Sequence, residues 1–225
     1  MNSSAWLTLS LLKNGADPGQ ILVKLALRNA LLGCKTVLDV GCGSAPTMRQ
    51  LRVSYCVGIE GYRPAFEDAQ RLKVQDEIIC GDIRSLTNYF KPGQFDACVA
   101  LDVIEHLPKE DGWKLIRDME LIAKKKVVFF TPNGFLPQKQ SATSDLQSHF
   151  SGWEIDEMRG HGYDVLGMLG PKNLRGEYHL LKNRPKFFWG MVSALGHVFQ
   201  TRRHPEKAAA ILCIKKISGP GSDKD

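Results

Sequence analysis

The chain has 225 residues, of which 43% are hydrophobic and 24% charged, and its formal net charge is +6. This length fits one α/β domain, which buries about 70% or more of the surface of its unfolded chain. The six cysteines show no paired CxxC spacing, so they argue against a zinc cluster or a disulfide framework and predict a reducing, cytoplasmic environment.

Strands and helices are predicted to alternate along the chain, which is the pattern of an α/β fold. Asp17 has the residue type of an N-cap, and Pro18 suits the first helical position. The helix that they begin is predicted to run through Leu32 and to stop at Gly33. Another helix is predicted over residues 113–124. Strands are predicted at 36–41, 55–60, 77–80, 95–101, 126–131, 163–168 and 208–217.

The first strand runs from Val37 into Gly41 and Gly43, which form the first half of a nucleotide-binding βα turn. The third glycine of the dinucleotide-binding motif is absent, because Ser-Ala-Pro follows at 44–46. Asp39 precedes the first glycine by two positions. A carboxylate there repels a pyrophosphate but attracts a ligand that carries an ammonium and a sulfonium. S-adenosylmethionine is such a ligand.

Two further acidic residues follow the next strands. Glu60 ends the second strand. Its distance along the sequence from Gly43 is close to the roughly 20 residues expected for one βα unit of this motif. Its carboxylate is suited to bind the two hydroxyls of a ribose. The third strand is followed by Gly81, Asp82 and Ile83, which offer a carboxylate and an apolar side chain to an adenine. Acids at successive carboxyl ends of a parallel sheet fall in the crevice where such folds bind ligands.

In this order, the four motifs resemble those of the class I S-adenosylmethionine-dependent methyltransferases, among them the small type 11 and type 12 groups. The motifs are Val-Leu-Asp-Val-Gly-Cys-Gly at 37–43, Gly-Ile-Glu at 58–60, Gly-Asp-Ile at 81–83, and the fourth strand with its loop at 95–107. The resemblance covers nearly the whole chain. It implies a Rossmann-like, seven-stranded, mostly parallel sheet with helices on both faces and an antiparallel last strand.

The domain organisation expected from this resemblance is a single methyltransferase domain over residues 1–217. Residues 1–35 are expected to form an N-terminal helical cap. Residues 134–207 are expected to supply insertions on the acceptor side and a C-terminal helix. The polar segment 218–225 is predicted to be a disordered tail.

The resemblance implies S-adenosylmethionine as the cofactor and S-adenosylhomocysteine as its product. It places Ala100 and Leu101 against the methionine part of the cofactor. The cofactor-binding residues expected on this basis are Asp39, Gly41, Cys42, Gly43, Glu60, Gly61, Asp82, Ile83, Ala100 and Leu101.

Methyl transfer is an in-line displacement, so the protein mainly has to align the reactants and exclude water. A general base is needed only for a weakly acidic acceptor such as a sugar hydroxyl, and His149 and His106 are the candidate catalytic residues. Asp102, Glu105 and His106 share one face of a helical turn and, with His149, would be able to hold a divalent ion. A packing role for these residues is the alternative, and we expect metal-independent activity.

The acceptor expected from the resemblance is a hydroxyl of a small molecule or a glycan. Metal-assisted O-methylation of an RNA ribose or of a quinone is the alternative, so a nucleic acid is the less favoured partner. A nicotinamide-dependent oxidoreductase would use Tyr178 and Lys182, but its longer glycine motif and upstream serine are missing. A non-catalytic cofactor-binding protein is the third class.

Two features after the fifth strand bear on the acceptor region. Ser151 and Glu154 match a capping box, which predicts a helix from near Gly152 to Gly160. Arg175 is predicted either to hold an anionic group of the acceptor or to form a surface ion pair with Glu177.

The segment 187–199 is predicted to be an amphipathic helix. Its apolar positions recur at helical spacing and comprise Phe188, Met191, Val192, Leu195, Val198 and Phe199. Residues 171–225 carry eleven Lys and Arg against four acidic residues, whereas residues 1–170 carry nineteen against twenty. Either the helix closes the acceptor pocket or contacts a membrane surface, or it packs as a core helix between strands six and seven. It is too short to span a bilayer, and no transmembrane helix is predicted elsewhere.

Overall fold

The computed structural model describes residues 17–136, 148–176 and 179–217. Its seven strands form one sheet in the order β3-β2-β1-β4-β5-β7-β6. The last strand, β7, is antiparallel to both of its neighbours, and the other pairs are parallel. The predicted fold is therefore confirmed. The strands are β1 Thr36–Val40, β2 Tyr55–Glu60, β3 Glu77–Cys80, β4 Phe95–Leu101, β5 Ala123–Pro132, β6 Asp164–Pro171 and β7 Ala208–Lys216.

Helices cover both faces of this sheet. They are α1 Pro18–Ala30, α2 Thr47–Leu51, α3 Arg63–Leu72, α4 Lys109–Ile122, α5 Ile155–Gly160 and α6 Lys186–Gly196, and a single wider turn, His197–Thr201, extends α6. Short 3-10 helices follow β3 at Ile83–Asn88 and β4 at Ile104–His106. Within the described ranges, no helix combines the length and the apolar character needed to cross a membrane.

The central strand β1 shows how the two helical layers are built. Side chains alternate between the faces of a strand, so Val37 and Leu38 belong to two separate core clusters. Val37 lies in the cluster that includes Leu27 of α1, and Leu38 lies in the cluster that includes Leu115 of α4. Because β1 is buried on both faces, its polar groups reach a ligand only near its carboxyl end, where the neighbouring parallel strands also end.

The N-terminal helix begins as predicted. Asp17 is the N-cap of α1 and accepts a hydrogen bond from the backbone N–H of Gly19 at 2.8 Å, and Pro18 occupies the first helical position. The helix ends at Ala30, and Gly33 follows with a φ of 81°. The predicted helix is therefore confirmed with its end displaced by two residues.

The capping box predicted at Ser151 is wrong. Helix α5 begins at Ile155, and Glu154 is its N-cap, paired reciprocally with Glu157. The hydroxyl of Ser151 is buried and donates to the carbonyl of Ile104 at 3.1 Å instead. This tertiary contact holds Ser151 outside the helix. The residue types at Ser151 and Glu154 match a capping box, but the helix begins three residues later than they predict.

Candidate active site

The carboxylate of Glu60 lies at the end of β2 and faces the glycine-containing loop after β1. Its Oε2 accepts a hydrogen bond from the backbone N–H of Gly43 at 2.9 Å, and its Oε1 accepts one from Tyr62 at 2.7 Å. A carboxylate oxygen has two lone-pair sites, so each oxygen retains one acceptor position. The Glu60 side chain is therefore fixed in place and still able to bind two hydroxyl groups.

The loop after β1 depends on glycine at two positions. Gly41 and Gly43 have φ values of 63° and 52°, which L side chains rarely adopt. A Cβ atom on Gly41 would lie 2.8 Å from a methyl group of Val103. The chain thus turns tightly against the segment that follows β4, and the backbone itself forms one wall of the cleft.

Asp39 is enclosed within the sheet rather than exposed to the cleft. Its Oδ2 accepts a hydrogen bond from the side-chain amide of Gln75 at 3.1 Å. Burial raises the pKa of Asp39 to about 7, the Gln75 hydrogen bond opposes this effect, and the nearby charge of Glu60 adds to it. Asp39 is therefore divided between its neutral and charged forms near neutral pH.

The carboxylate of Asp82 is hydrogen-bonded to Arg84, two positions further along the chain. It is the N-cap of the 3-10 helix Ile83–Asn88, accepts from the backbone N–H of Arg84 at 2.9 Å, and pairs with the Arg84 guanidinium at 2.7 Å. These hydrogen bonds hold the pKa of the Asp82 carboxyl below its usual range. Both side chains are about half exposed, so the pair is accessible to solvent and to a ligand.

A cleft of about 770 Å³ runs along these strand ends. It extends from Glu60 across Asp82 to Asp102, which follows β4. Asp102 has a φ of 53°, a left-handed conformation that Asp tolerates better than most residues. A smaller cavity of about 120 Å³ shares Asp102 and His106 with the cleft. Those two residues therefore lie between the two spaces.

Three histidines and two acidic residues surround the smaller cavity. Its lining comprises Asp102, Glu105, His106, Pro132, Leu136, His149 and His179. The rings of His106 and His149 meet edge to face with their centroids 4.8 Å apart. One ligand atom from each of Glu105, His106 and His149 lies within 4.8 Å of the others. Acid–base groups are thus concentrated at one end of the cleft.

Hydrogen bonds to carbonyl groups determine which nitrogen of each ring carries the proton. Nδ1 of His149 lies 2.7 Å from the carbonyl oxygen of Leu136, and Nδ1 of His106 lies 3.1 Å from that of Ser148. Because a carbonyl oxygen only accepts hydrogen bonds, Nδ1 is the donor in each of these contacts. In the neutral ring of His149 the lone pair therefore lies on Nε2.

His149 reaches this position because its segment is attached to the loop after β4. The backbone N–H groups of Phe150 and Ser151 both donate to the carbonyl of Glu105, at 2.8 and 3.1 Å. Burial lowers the pKa of the His149 imidazole, and the hydrogen bond to Leu136 only partly offsets that effect. The ring is consequently neutral at pH 7.

Glu105 is buried below the histidines. Its Oε2 accepts a hydrogen bond from the hydroxyl of Thr131 at 3.0 Å. Burial raises the pKa of the Glu105 carboxyl well above its ordinary value, and the neighbouring charge of Asp102 raises it further. Protonation of the Glu105 carboxyl is therefore favoured.

The central part of the chain matches a known family. Residues 38–131 match the family described as a methyltransferase domain, and this range carries Glu60, Asp82 and the loop after β4. Over this range, which is less than half of the chain, the chain is similar to the class I S-adenosylmethionine-dependent methyltransferases, whose cofactor is S-adenosylmethionine.

Relatives of this methyltransferase domain act on different acceptors, according to their names. The 18S rRNA (guanine-N(7))-methyltransferase of Bos taurus is 30% identical over 97 residues, which are 42% of this chain and 32% of the relative. The chain therefore spans about a third, 32%, of the curated relative that it matches.

Solved structures of methyltransferases share the fold. Phosphoethanolamine N-methyltransferase 2 of Haemonchus contortus, in complex with S-adenosyl-L-methionine, aligns with a TM-score of 0.56 at 16% identity, over 87% of this chain and 52% of that one. A SAM-dependent methyltransferase of Archaeoglobus fulgidus aligns with a TM-score of 0.53 at 16% identity, over 93% of this chain and 98% of that one. At such identities the likeness is one of fold.

The residues that line the cleft fit S-adenosylmethionine. Glu60 offers two acceptor positions to a ribose, and Ile83 offers an apolar surface beside the Asp82 carboxylate. The backbone at Gly41 forms one wall of the cleft, and a side chain at this position would collide with Val103. The cleft volume of about 770 Å³ lies within the range of about 300–1,000 Å³ typical of small-molecule sites.

The structure separates the expected cofactor residues into two groups. Those that line the cleft are Gly41, Glu60, Gly61, Asp82 and Ile83, and those that lie outside its lining are Asp39, Cys42, Gly43, Ala100 and Leu101. Gly43 supports Glu60 through its N–H group, and Ala100 is buried in β4. Direct cofactor contact by each of these residues stays a prediction. Both predicted catalytic residues, His106 and His149, line the smaller cavity of this methyltransferase domain.

His179 is the functional candidate that sequence reasoning missed. Its Nε2 donates to Oδ1 of Asp102 at 3.0 Å, and its ring lies edge to face with Phe130 at 5.4 Å. His179 is buried and has a φ of 58°. The sequence offered only a lone histidine 77 positions from its partner, which carries no local signal of pairing.

Arg175 holds His179 in place from the opposite side. Its guanidinium donates to the carbonyl of His179 at 2.7 Å and forms two hydrogen bonds with Asp17, at 2.6 and 3.2 Å. The Arg175 side chain is only 1% exposed. It is thus a buried structural residue, and the prediction that it binds an anionic acceptor is wrong for this structure. Its other predicted partner, Glu177, lies outside the described residues, as do Tyr178 and the segment 218–225.

Proposed function

We propose that the protein is an O-methyltransferase that transfers the methyl group of S-adenosylmethionine to a hydroxyl of a small molecule or a glycan. The observation that carries this proposal is the position of His149. Its Nδ1 is bound to the carbonyl of Leu136, so its Nε2 lone pair is available in the cavity that adjoins the cofactor cleft. A hydroxyl group is a poor nucleophile until a base removes its proton, and a neutral imidazole is such a base.

The chain's own residues have three tasks in this reaction. When bound, S-adenosylmethionine would supply an electrophilic methyl group to the acceptor oxygen, and the electron pair of the broken carbon–sulfur bond would remain on sulfur. His149 takes the hydroxyl proton at Nε2. Glu60 and the loop at Gly41 hold the cofactor in position relative to His149. The His179–Asp102 pair holds the boundary between cleft and cavity and acts as a positioning element.

The test compares His149→Asn with the matched control His161→Asn, because His161 is exposed and stacks on Trp113 outside the site. Methyl transfer from labelled S-adenosylmethionine is measured on a panel of free and nucleotide-linked sugars and phenols, and in parallel on RNA. We expect His149→Asn to lower kcat by about 10²–10⁴-fold and to leave S-adenosylhomocysteine affinity unchanged. The control should behave as wild type.

The pH profile separates a base from a packing residue. Burial lowers the pKa of His149, so wild-type turnover should fall on the acid side only below the ordinary imidazole pKa of about 6.5. That limb should disappear in His149→Asn. Turnover by the variant equal to wild type, on every acceptor that wild type uses, would show that His149 is not the base.

A divalent ion held by Glu105, His106 and His149 is the second candidate. Their ligand atoms lie within 4.8 Å of one another, close to the about 4.2 Å that separates opposite ligands around an ion with bonds of about 2.1 Å. Imidazole and carboxylate ligands suit transition metals such as Mn²⁺ and Zn²⁺. This set would serve metal-assisted O-methylation of an RNA ribose or a quinone, in which a bound ion acidifies the hydroxyl.

Chelation distinguishes the two mechanisms. Full turnover in EDTA supports His149 as the base. Loss of turnover that added Mn²⁺ restores, together with calorimetric Mn²⁺ binding that His106→Gln abolishes, supports the ion. Methyl incorporation into RNA but not into sugars or phenols would favour a nucleic-acid acceptor, as the name of the Bos taurus relative suggests.

A further inference from the structure

Helix α6 and its extension, His197–Thr201, present opposite surfaces to the protein and to the solvent. The packed side carries small or polar residues. Gly190 lies against Pro18, since a Cβ atom there would be 2.8 Å from the proline ring. Ser193 is buried, donates to the carbonyl of Leu169 at 2.7 Å and contacts Arg175. The helix is therefore anchored to the domain by its polar side.

The opposite side carries large apolar residues that are exposed. These are Phe187, Phe188, Met191, Leu195, Val198 and Phe199, with exposed fractions from 41% to 78%. Their spacing of three, four and seven positions places them on one face of the helix. The expectation of a core helix between strands six and seven is wrong for this face. A contiguous apolar surface of this kind usually marks an interaction site; we call it the α6 apolar face.

Basic residues border the α6 apolar face at both ends of the helix. Lys182, Arg184 and Lys186 precede it, and Arg202, Arg203 and Lys207 follow it. Over residues 182–207 the only acidic residue is Glu206, which faces His204 at 3.3 Å. Among the residues that the structure describes, none of these six basic side chains forms an ion pair with a carboxylate. Their charge is consequently available to an anionic partner.

We propose that the α6 apolar face docks the protein on an anionic membrane surface. The phenylalanines enter the boundary between head groups and acyl chains, and the basic residues at both ends contact the anionic head groups. The helix of 11 residues is about 16 Å long, so it lies in the plane of the interface rather than across the bilayer. This proposal is independent of the acceptor and goes beyond the proposed function.

The probes are vesicles of phosphatidylglycerol mixed with phosphatidylcholine, and vesicles of phosphatidylcholine alone. The full-length protein is sedimented with each at low and high salt. The test variant combines Leu195→Gln with Phe199→Ser. The matched control is Leu121→Gln, because Leu121 of α4 is 50% exposed and Leu195 is 52% exposed. A second variant, Arg202→Glu with Arg203→Glu, tests the charge.

We expect wild type and Leu121→Gln to sediment with the anionic vesicles and to be released by salt. Loss of the two apolar side chains should weaken binding by about tenfold or more, and charge reversal should weaken it at least about fivefold per residue at low salt. Unfolding temperature should be equal in Leu195→Gln and Leu121→Gln, because both side chains are exposed in the folded protein.

Four results would overturn the proposal. The first is wild-type protein that binds neither vesicle, or binds both equally at all salt concentrations. The second is a double apolar variant that binds as well as wild type. A lower unfolding temperature for Leu195→Gln than for Leu121→Gln would show that another part of the chain covers this face. A dimer in size-exclusion chromatography that the double variant converts to a monomer would show that a second copy covers it.

Discussion

On the cofactor side of the site, the polar groups follow adjacent parallel strands, whereas on the acceptor side they arrive from separate segments of the chain. Glu60 is the last residue of β2, and Asp82 follows the end of β3 by two positions. Both carboxylates bind backbone groups within a few residues or in the adjacent loop. His149 and His179 reach the site from segments 43 and 73 residues beyond His106. The Arg175 guanidinium donates to the carbonyl of His179 and is itself held by the carboxylate of Asp17. Local geometry builds one side, and long-range contacts build the other.

This difference has a functional meaning. A cofactor common to many enzymes needs the same groups at the same strand ends, which a short motif provides. An acceptor site on loops is free to vary, because the scaffold tolerates changes there. The acceptor side is therefore expected to be the more sensitive to distant substitutions, and the cofactor side to substitutions within its own motif.

The largest expected effect is that of Glu60→Ala on cofactor binding. If Glu60 accepts the two ribose hydrogen bonds that we propose, each worth about 1.5–3 kcal/mol, S-adenosylhomocysteine should bind the variant about 10²–10⁴-fold more weakly in isothermal titration. Glu67→Ala is the matched control, since Glu67 pairs with Arg63 on the exposed surface of α3, and its affinity should equal that of wild type. Equal affinity in Glu60→Ala would refute the assignment of the ribose site.

The strands and the glycine turn of the cofactor side are the features that the sequence predicts well. Three acidic residues at strand ends and two glycines define this side, and all of these signals lie within about 45 positions of one another. The direction of the Asp39 side chain escapes prediction, because a strand residue faces either the core or the cleft according to the packing around it. Cys42, Gly43, Ala100 and Leu101 likewise lie outside the cleft lining. Gln75, which binds Asp39 across 36 positions, gives no signal of that contact.

The second prediction concerns the network that holds the acceptor side. Arg175→Met leaves Asp17 without its buried partner and releases the carbonyl of His179. We therefore expect the free energy of unfolding to fall by about 3–5 kcal/mol. Turnover should fall in the folded protein, while S-adenosylhomocysteine affinity of the folded fraction should stay within about threefold. Denaturation by urea and titration below the transition measure both effects.

Arg159→Met is the control for this network, because Arg159 is exposed and lies 3.8 Å from Asp156. Its effect on stability should be below about 1 kcal/mol. If Arg175→Met were as stable as this control, or if it lost cofactor affinity as strongly as turnover, the two sides of the site would not be separable.

The acceptor side could not be predicted from sequence for physical reasons. Arg175 and Asp17 are 158 positions apart, and an isolated arginine is more often a surface residue than a buried one. The helix start is displaced from Ser151 because the backbone of that segment bonds to Glu105. In each case a contact between distant segments overrides what the local sequence favours.

The smallest expected effect is the pH dependence caused by Asp39. Its pKa is about 7 in the folded protein, against an ordinary value of 3.8 for an aspartate carboxyl, so the folded state binds the extra proton between these values. Stability contributed by this group is present at low pH and is lost as pH rises toward 7. The free energy of unfolding of Asp39→Asn relative to wild type should therefore increase between pH 5 and pH 8, by on the order of 2 kcal/mol.

Thermal unfolding of the cofactor-free protein at several pH values measures this difference. The comparison of the two proteins cancels the groups that they share. A difference in stability that is the same at pH 5 and at pH 8 would mean that Asp39 titrates at its ordinary pKa and is better hydrated than the structure indicates.

The measurement that tests the account most directly is a crystal structure of the full-length protein with S-adenosylhomocysteine. We predict that both ribose hydroxyls bind the carboxylate of Glu60 and that the sulfur faces the boundary formed by Asp102 and His106, with the cavity of His149 beyond it. A cofactor whose ribose lies away from Glu60, or whose sulfur points away from that cavity, would contradict the account.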